Sequence, residues 1–252
     1  MNMNYLIIIG IITLFIFVLY HIKNKIYIRK KNSISIYIQG NIGSGKSSIL
    51  NILRKNKDYE IIDEPVNLWE KSGALQEFYK NKTKRGYVFQ SFAFISRLKY
   101  LANPTNKKIR IFERSIYADK YCFAQNTYDC GYMDDFEWKI YNLIFDEWID
   151  FINSFVNNRN ERKIILFINC SPQKCFERIN KRNRKSENNE IKLDYLIKLD
   201  NIHKKWKNEL IKSDEFIIQE FDNEADIAKI TDPEYEQKIK EKINKIIQAN
   251  IF

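Results

Sequence analysis

Ser33 to Ser47 reads SISIYIQGNIGSGKS, and this stretch decides the fold. Ser33 to Gln39 alternates isoleucine with serine and tyrosine, the period of a strand, and stops at a glycine. Gly40, Asn41, Ile42, Gly43, Ser44, Gly45, Lys46 and Ser47 then fill every required position of the pattern G-x-x-x-x-G-K-[ST], with Ser48 following. The glycines let the backbone turn its amides inward, and a helix starting at Lys46 adds its positive end, so the loop suits phosphates. Lys46 then reaches the β- and γ-phosphates of a triphosphate such as ATP, and the Ser47 hydroxyl ligates Mg²⁺.

Outward from the loop, apolar runs at residues 60–62, 109–112, 163–169 and 216–219 read as four further strands. Segments 47–55, 88–102, 134–156, 172–181, 193–211 and 235–248 carry helical periodicity. Alternation of this kind predicts an α/β fold of the P-loop kinase type, a five-stranded parallel sheet flanked by helices, with ligands at the carboxyl ends of the strands. Neither an internal repeat nor a linker divides residues 33–252, which read as one domain.

Two strand ends separate transfer from mere binding. Glu64 follows the second strand, where a carboxylate can accept the proton of an attacking hydroxyl. Glu113-Arg114-Ser115 closes the third, bringing a carboxylate toward the metal and a guanidinium toward the transferring group. Either could be a surface ion pair if it stood alone. Together, past strands of one sheet, they form a site.

These residues resemble the deoxynucleoside kinase family, which includes deoxycytidine, deoxyguanosine and mitochondrial thymidine kinases. The likeness runs from residue 34 to about 210: GNIGSGKS at 40–47, Glu64-Pro-Val with Trp69, and Glu113-Arg-Ser. It implies that Glu64 is the general base for a 5′-hydroxyl, that Arg114 positions that hydroxyl, and that Ser47 and Glu113 hold Mg²⁺. It also implies a sugar contact from Tyr79, a base-reading amide on Gln90, base-proximal Arg97 and Asp119, and a stacking Phe123. Arg178, Arg182 and Arg184, within Arg178 to Lys185 (RINKRNRK), match the arginines of the family's lid over the ATP phosphates. That run reads as leaving a helix to become a loop. Where many members place a glutamate against the sugar 3′-hydroxyl, this chain has Asp194, one methylene shorter.

Arg97 and Asp119 stand where thymidine-preferring members carry apolar or small residues, so the resemblance implies deoxyguanosine, deoxyadenosine or deoxycytidine as acceptor. It also implies a homodimer packed through helices. A nucleoside monophosphate kinase is the nearest rival, but Glu64 would repel an acceptor phosphate. A GTPase lacks its base-reading motif, since Asn81-Lys82-Thr83-Lys84 ends in lysine and falls too early. A membrane-tethered nucleic-acid-binding or scaffolding protein with a vestigial site is the third reading, opposed by the intact set of Lys46, Glu64, Glu113 and Arg114.

The formal charge of +10 and pI near 9.2 suit an anionic partner, yet the lysines lie dispersed among acids, as on a solvated surface. A nucleotide meets the charge, and no nucleic acid is expected. Hydrophobic residues at 44% exclude a broadly disordered chain. Cys122, Cys130, Cys170 and Cys175 form no C-x-x-C pair and read as reduced thiols facing the cytosol.

Tyr5 to Tyr20 carries no charge, and the apolar run extends to Ile22. Lys23, Lys25, Arg29, Lys30 and Lys31 follow it, the reverse of a cleaved signal peptide. Residues 1–22 therefore read as a single-pass membrane anchor and 23–32 as a basic connector, which leaves the kinase domain in the cytosol. If the segment does not span, the protein is cytoplasmic.

Overall fold

The computed structural model describes residues 32–102, 105–156, 161–184, 190–224 and 232–251. The apolar segment 5–22 lies outside these. Among the described residues no helix is long and apolar enough to cross a membrane.

Five parallel strands form the sheet: β1 (Ser33–Gln39), β2 (Tyr59–Ile62), β3 (Ile109–Glu113), β4 (Glu161–Asn169) and β5 (Ile217–Asp222). Their order is β2-β3-β1-β4-β5, with β1 central between β3 and β4. The register sets Ile38 opposite Glu113 and Gln39 opposite Phe167, so the phosphate loop and the acidic end of β3 emerge side by side. The chain leaves β1 toward one edge and later returns to its other side, opening a crevice at the carboxyl edge.

The two faces of β1 explain its composition. Ile34, Ile36 and Ile38 pack with Ile49, Leu50 and Leu53 of α1 (Lys46–Leu53) and with the isoleucines of α10 (Pro233–Ala249). Tyr37, on the opposite face, joins Phe112, Phe167 and Trp206 of α9 (Leu193–Leu210). Strands covered on both faces need apolar residues on both, which is why the alternation in β4 dissolves into a continuous run.

A helical layer over the carboxyl edge was only partly visible in the sequence. After β2 come α2 (Val66–Lys71), α3 (Ala74–Lys80) and α4 (Lys82–Ala102). The sequence placed the start of α4 at Val88, because the polar Lys82–Gly86 lacks an apolar stripe. Gly86 sits inside the helix for a tertiary reason, since a Cβ there would lie 2.2 Å from the Tyr132 carbonyl oxygen. Beyond β3 the chain forms α5 (Ile116–Ala118), a π-helical turn (Asp119–Ala124), α6 (Gln125–Asp129) and α7 (Asp135–Val156). After β4, α8 (Pro172–Arg182) is capped by Ser171, whose side chain accepts from the Lys174 amide. It ends on Asn183 at φ 50°, so the helix runs one residue past the expected Lys181, holds Arg178 and Arg182 four residues apart, and is left by the chain within the run 178–185; Lys185 lies outside the described residues.

Candidate active site

The loop after β1 turns on glycines that nothing else could replace. Gly43 and Gly45 have φ of 81° and 95°. A Cβ on Gly43 would lie 2.5 Å from the Cys175 carbonyl oxygen, and one on Gly45 2.4 Å from Asn223 Nδ2. Lys46 is buried beneath the loop, its Nζ donating to the carbonyl oxygens of Asn41 (2.7 Å) and Gly40 (3.2 Å). Burial, then the neighbouring Arg114, bring its pKa down to about 7. A triphosphate would supply the negative charge this ammonium lacks.

Ser47 Oγ donates to Glu113 Oε1 over 2.8 Å. A hydroxyl and a carboxylate converging at the mouth of a phosphate loop are hard oxygen donors, the set Mg²⁺ accepts alongside phosphate oxygens and water. Among the described residues no group of three or more His, Cys, Asp or Glu gathers as an all-protein metal cage. The donor set fits an ion brought in with its nucleotide.

Arg97, delivered by α4, ties three acidic segments together. Its Nη2 donates to the Glu64 carboxylate, its Nη1 to the Glu113 carbonyl oxygen (3.0 Å), and its Nε forms an ion pair with Asp119 Oδ2 at 3.0 Å. Arg114 Nε lies 3.3 Å from Glu64 Oε1, while its Nη1 donates to the Gly40 carbonyl oxygen. Its guanidinium carbon stands 4.6 Å from the centre of the Phe123 ring. The Arg114 backbone occupies φ 65°, a conformation costing about 1–3 kcal/mol for a residue other than glycine, which the surrounding hydrogen bonds hold in place.

The two carboxylates sharing Arg97 titrate in opposite directions. Burial pushes Glu64 up, but Arg97, Arg114 and Lys46 together outweigh it and hold the group at about 2. Burial pushes Asp119 up to about 7, with the Glu64 charge adding to it and Arg97 opposing. Glu64 thus remains an ionised proton acceptor at neutral pH.

A cavity of about 670 Å³ joins these groups. Ile42, Gly43, Gly45, Lys46, Ser47 and Ser48 line it from the phosphate loop, Glu64, Glu113 and Arg114 from the strand ends, and Asp119 from the π-helical turn. Gly40 and Asn41 border a smaller cavity on the far side of the loop, and Ser44 is buried within it. Trp69 donates from Nε1 to Ser96 Oγ (2.9 Å) and lies beneath the Arg97 guanidinium, while the Tyr79 ring packs tilted at 49° beside Phe78. Gln90 Nε2 donates to Thr127 Oγ1 over 3.0 Å, and Thr127 Oγ1 donates to the Phe123 carbonyl oxygen, which fixes the amide. All three of Trp69, Tyr79 and Gln90 face the cavity, as does Phe123.

Arg178, Arg182 and Arg184 line the same cavity. Arg178 is buried, its Nη2 donating to the Asn223 carbonyl oxygen (2.8 Å) and its Nη1 to Cys170 Sγ (3.2 Å); Arg184 Nε lies 3.7 Å from Glu70. Asp194 departs from expectation: it is exposed and does not line the cavity, whereas Tyr195 does. Successive helical residues point about 100° apart, so the first turn of α9 can offer the cavity only one of them.

Asn223 is the residue that sequence reasoning missed. It follows β5, donates from Nδ2 to the Ser44 carbonyl oxygen (2.7 Å) and accepts at Oδ1 from the Tyr235 hydroxyl (3.0 Å). An asparagine directly after the last strand, level with the phosphate loop, was the available signal.

With the geometry in place, the chain can be set beside known proteins. A family model described as deoxynucleoside kinase matches residues 36–248. The probable deoxycytidine kinase of fowlpox virus (strain NVSL) is 39% identical over 176 residues, 69% of this chain and 72% of that one. Deoxycytidine kinase 2 of Gallus gallus is 34% identical over 197 residues, 68% and 72% of the two chains. The mitochondrial deoxyguanosine kinase of Xenopus laevis is 30% identical over 193 residues, 67% and 71%.

Proposed function

The chain belongs to the deoxynucleoside kinase family, whose reaction is the ATP-dependent phosphorylation of a deoxynucleoside, and we propose how its residues divide that work. One observation carries the reading: an ionised Glu64, gripped by Arg97 and Arg114, faces the same cavity as the phosphate loop. Glu64 accepts the proton of the 5′-hydroxyl as its oxygen attacks the γ-phosphorus of ATP, and ADP leaves. Arg114 orients that hydroxyl and offsets charge on the transferring group. Lys46, with Arg178, Arg182 and Arg184, holds the phosphates. Ser47 and Glu113 would hold Mg²⁺, which would supply neutralisation of the phosphate charge.

Acceptor choice falls to Gln90, Arg97 and Asp119. Gln90 offers a donor and an acceptor to a base edge, and the Arg97–Asp119 ion pair stands, by the family resemblance, where a thymine methyl would need room. Deoxycytidine, deoxyguanosine or deoxyadenosine is the acceptor on this reading. Names among the relatives, deoxycytidine kinase and deoxyguanosine kinase, agree with it. The monophosphate kinase alternative is disfavoured because Glu64 keeps its charge where a second phosphate would have to sit.

Two assembly features complete the proposal. Val88 and Ile95 on α4 are exposed seven residues apart, as are Phe136 and Leu143 on α7, and α4 packs on α7; a second copy of the chain would cover these faces. Residues 5–22 anchor the protein in a membrane with its kinase domain in the cytosol. Light scattering at micromolar protein tests the dimer, and retention in the pellet after alkaline carbonate tests the anchor. The reaction is tested by offering the four deoxynucleosides with Mg-ATP to protein lacking residues 1–32: a 5′-monophosphate forms from at least one, with thymidine the poorest. Absence of product from all four overturns the reading.

A further inference from the structure

Cys170 and Cys175 stand at two positions that helix geometry brings together. Ser171 caps α8, so Cys170 precedes the cap and Cys175 is the fourth helical residue, the pair that ordinarily packs as an apolar staple. Here both are thiols. Cys175 Sγ donates to the Cys170 carbonyl oxygen over 3.7 Å, and both side chains belong to one buried apolar cluster. Both are buried, Cys175 completely and Cys170 but for 7% of its surface, and Cys170 borders the smaller cavity of about 370 Å³ with Asn169, Ser171 and Lys204.

The surroundings favour a thiolate at Cys170. Arg178 Nη1 donates to its sulfur, and the hydrogen bond with Cys175, followed by burial in opposition and Arg178 in support, lowers its pKa. Cys175 is raised by the same shared bond and by burial. One thiol is primed to attack and the other to resolve.

We propose that Cys170 and Cys175 form a reversible disulfide that weakens ATP binding. A low-molecular-weight disulfide such as oxidised glutathione enters from the smaller cavity, and the Cys170 thiolate attacks one of its sulfurs, expelling a glutathione thiolate. The Cys175 thiol then gives up its proton and attacks the Cys170 sulfur, expelling the second. Two protein thiols lose two electrons and two protons, and the oxidant leaves as two thiols. The effect on ATP follows from two contacts. Arg178 loses its charged acceptor on Cys170, and the Cys175 carbonyl, which lies where a Gly43 side chain would be, moves with the first turn of α8. This coupling rests on Arg178 serving as a phosphate ligand; formation of the disulfide does not.

The test equilibrates the full-length chain with graded mixtures of reduced and oxidised glutathione, then alkylates free thiols and maps the peptides. Cys170 and Cys175 should lose alkylation together, in a peptide lighter by two hydrogens, while Cys122 changes independently of them. ATP affinity, read by calorimetry without any acceptor, should fall by about tenfold, the order of one charge-assisted hydrogen bond. Dithiothreitol should restore it, and Cys170→Ala should bind ATP with an affinity that no longer changes with the mixture. A persistent glutathione adduct on Cys170 with Cys175 still alkylated overturns the disulfide. A disulfide with unchanged ATP affinity overturns the coupling. Loss of the kinase reading would instead show as no turnover in the reduced protein, leaving the thiol map intact.

Discussion

The Arg97 guanidinium donates to the Glu64 carboxylate while forming an ion pair with Asp119, so one cation on α4 fixes both the proposed base and the proposed base-reading acid. Catalysis and acceptor choice are therefore mechanically joined. Changing either carboxylate alters the field felt by the other.

That linkage makes Arg97→Met a costly change. It leaves two buried carboxylates without their shared cation, which should destabilise the fold by about 3–5 kcal/mol in urea unfolding. Arg97→Met with Asp119→Ala removes one buried carboxyl group left without its partner and opens space, so the double variant should be more stable than the single one and should gain activity on thymidine relative to deoxycytidine. A double variant as unstable as Arg97→Met, or one still blind to thymidine, would contradict the assigned roles.

Lys46 supplies a pH dependence. Its pKa lies at about 7 in the folded protein, below the ordinary 10.5, because burial and Arg114 disfavour its charge. Bound phosphates reverse that bias and raise it. Binding at about pH 8 should then take up a fraction of a proton approaching one, and ATP affinity should weaken as pH climbs above 7. Calorimetry in buffers of differing ionisation enthalpy measures the uptake; a buffer-independent heat would show that Lys46 is already charged.

Asn223 carries the phosphate loop from behind. Asn223→Ala strands the Ser44 carbonyl and the Tyr235 hydroxyl and should cost about 1–3 kcal/mol of stability while weakening ATP more than the deoxynucleoside. Equal loss of both affinities would reduce it to a general structural role.

Ser47 and Glu113 should act as a unit on the metal. Ser47→Ala and Glu113→Gln should each raise the Mg²⁺ concentration needed for half-maximal turnover by about tenfold or more, and the pair should cost less than the sum. Fully additive effects would place the two residues on separate tasks.

Much of this was legible in the chain. The glycine loop stood directly after a β-branched run, and Glu64 and Glu113 stood directly after or at the ends of such runs, so strand ends alone located them. What escaped depended on contacts distant in sequence. The helices around Trp69 and Tyr79 are short and bury aromatic residues against other helices, and Gly86 spoils the local pattern of α4 for the sake of Tyr132. The π-helical turn that carries Asp119 and Phe123 has no marker in periodicity. Asp194 misled because likeness in sequence does not settle which of two adjacent helical residues faces a cavity.

The claim that Glu64 is the base for a deoxynucleoside hydroxyl is tested most directly by Glu64→Gln, which keeps the shape and removes the proton acceptor. Turnover of deoxycytidine with Mg-ATP should fall by about 10²–10⁴-fold, with ATP affinity held within about threefold of the parent. A variant that still converts deoxycytidine at the parental rate, with the same 5′-monophosphate as product, would contradict the account.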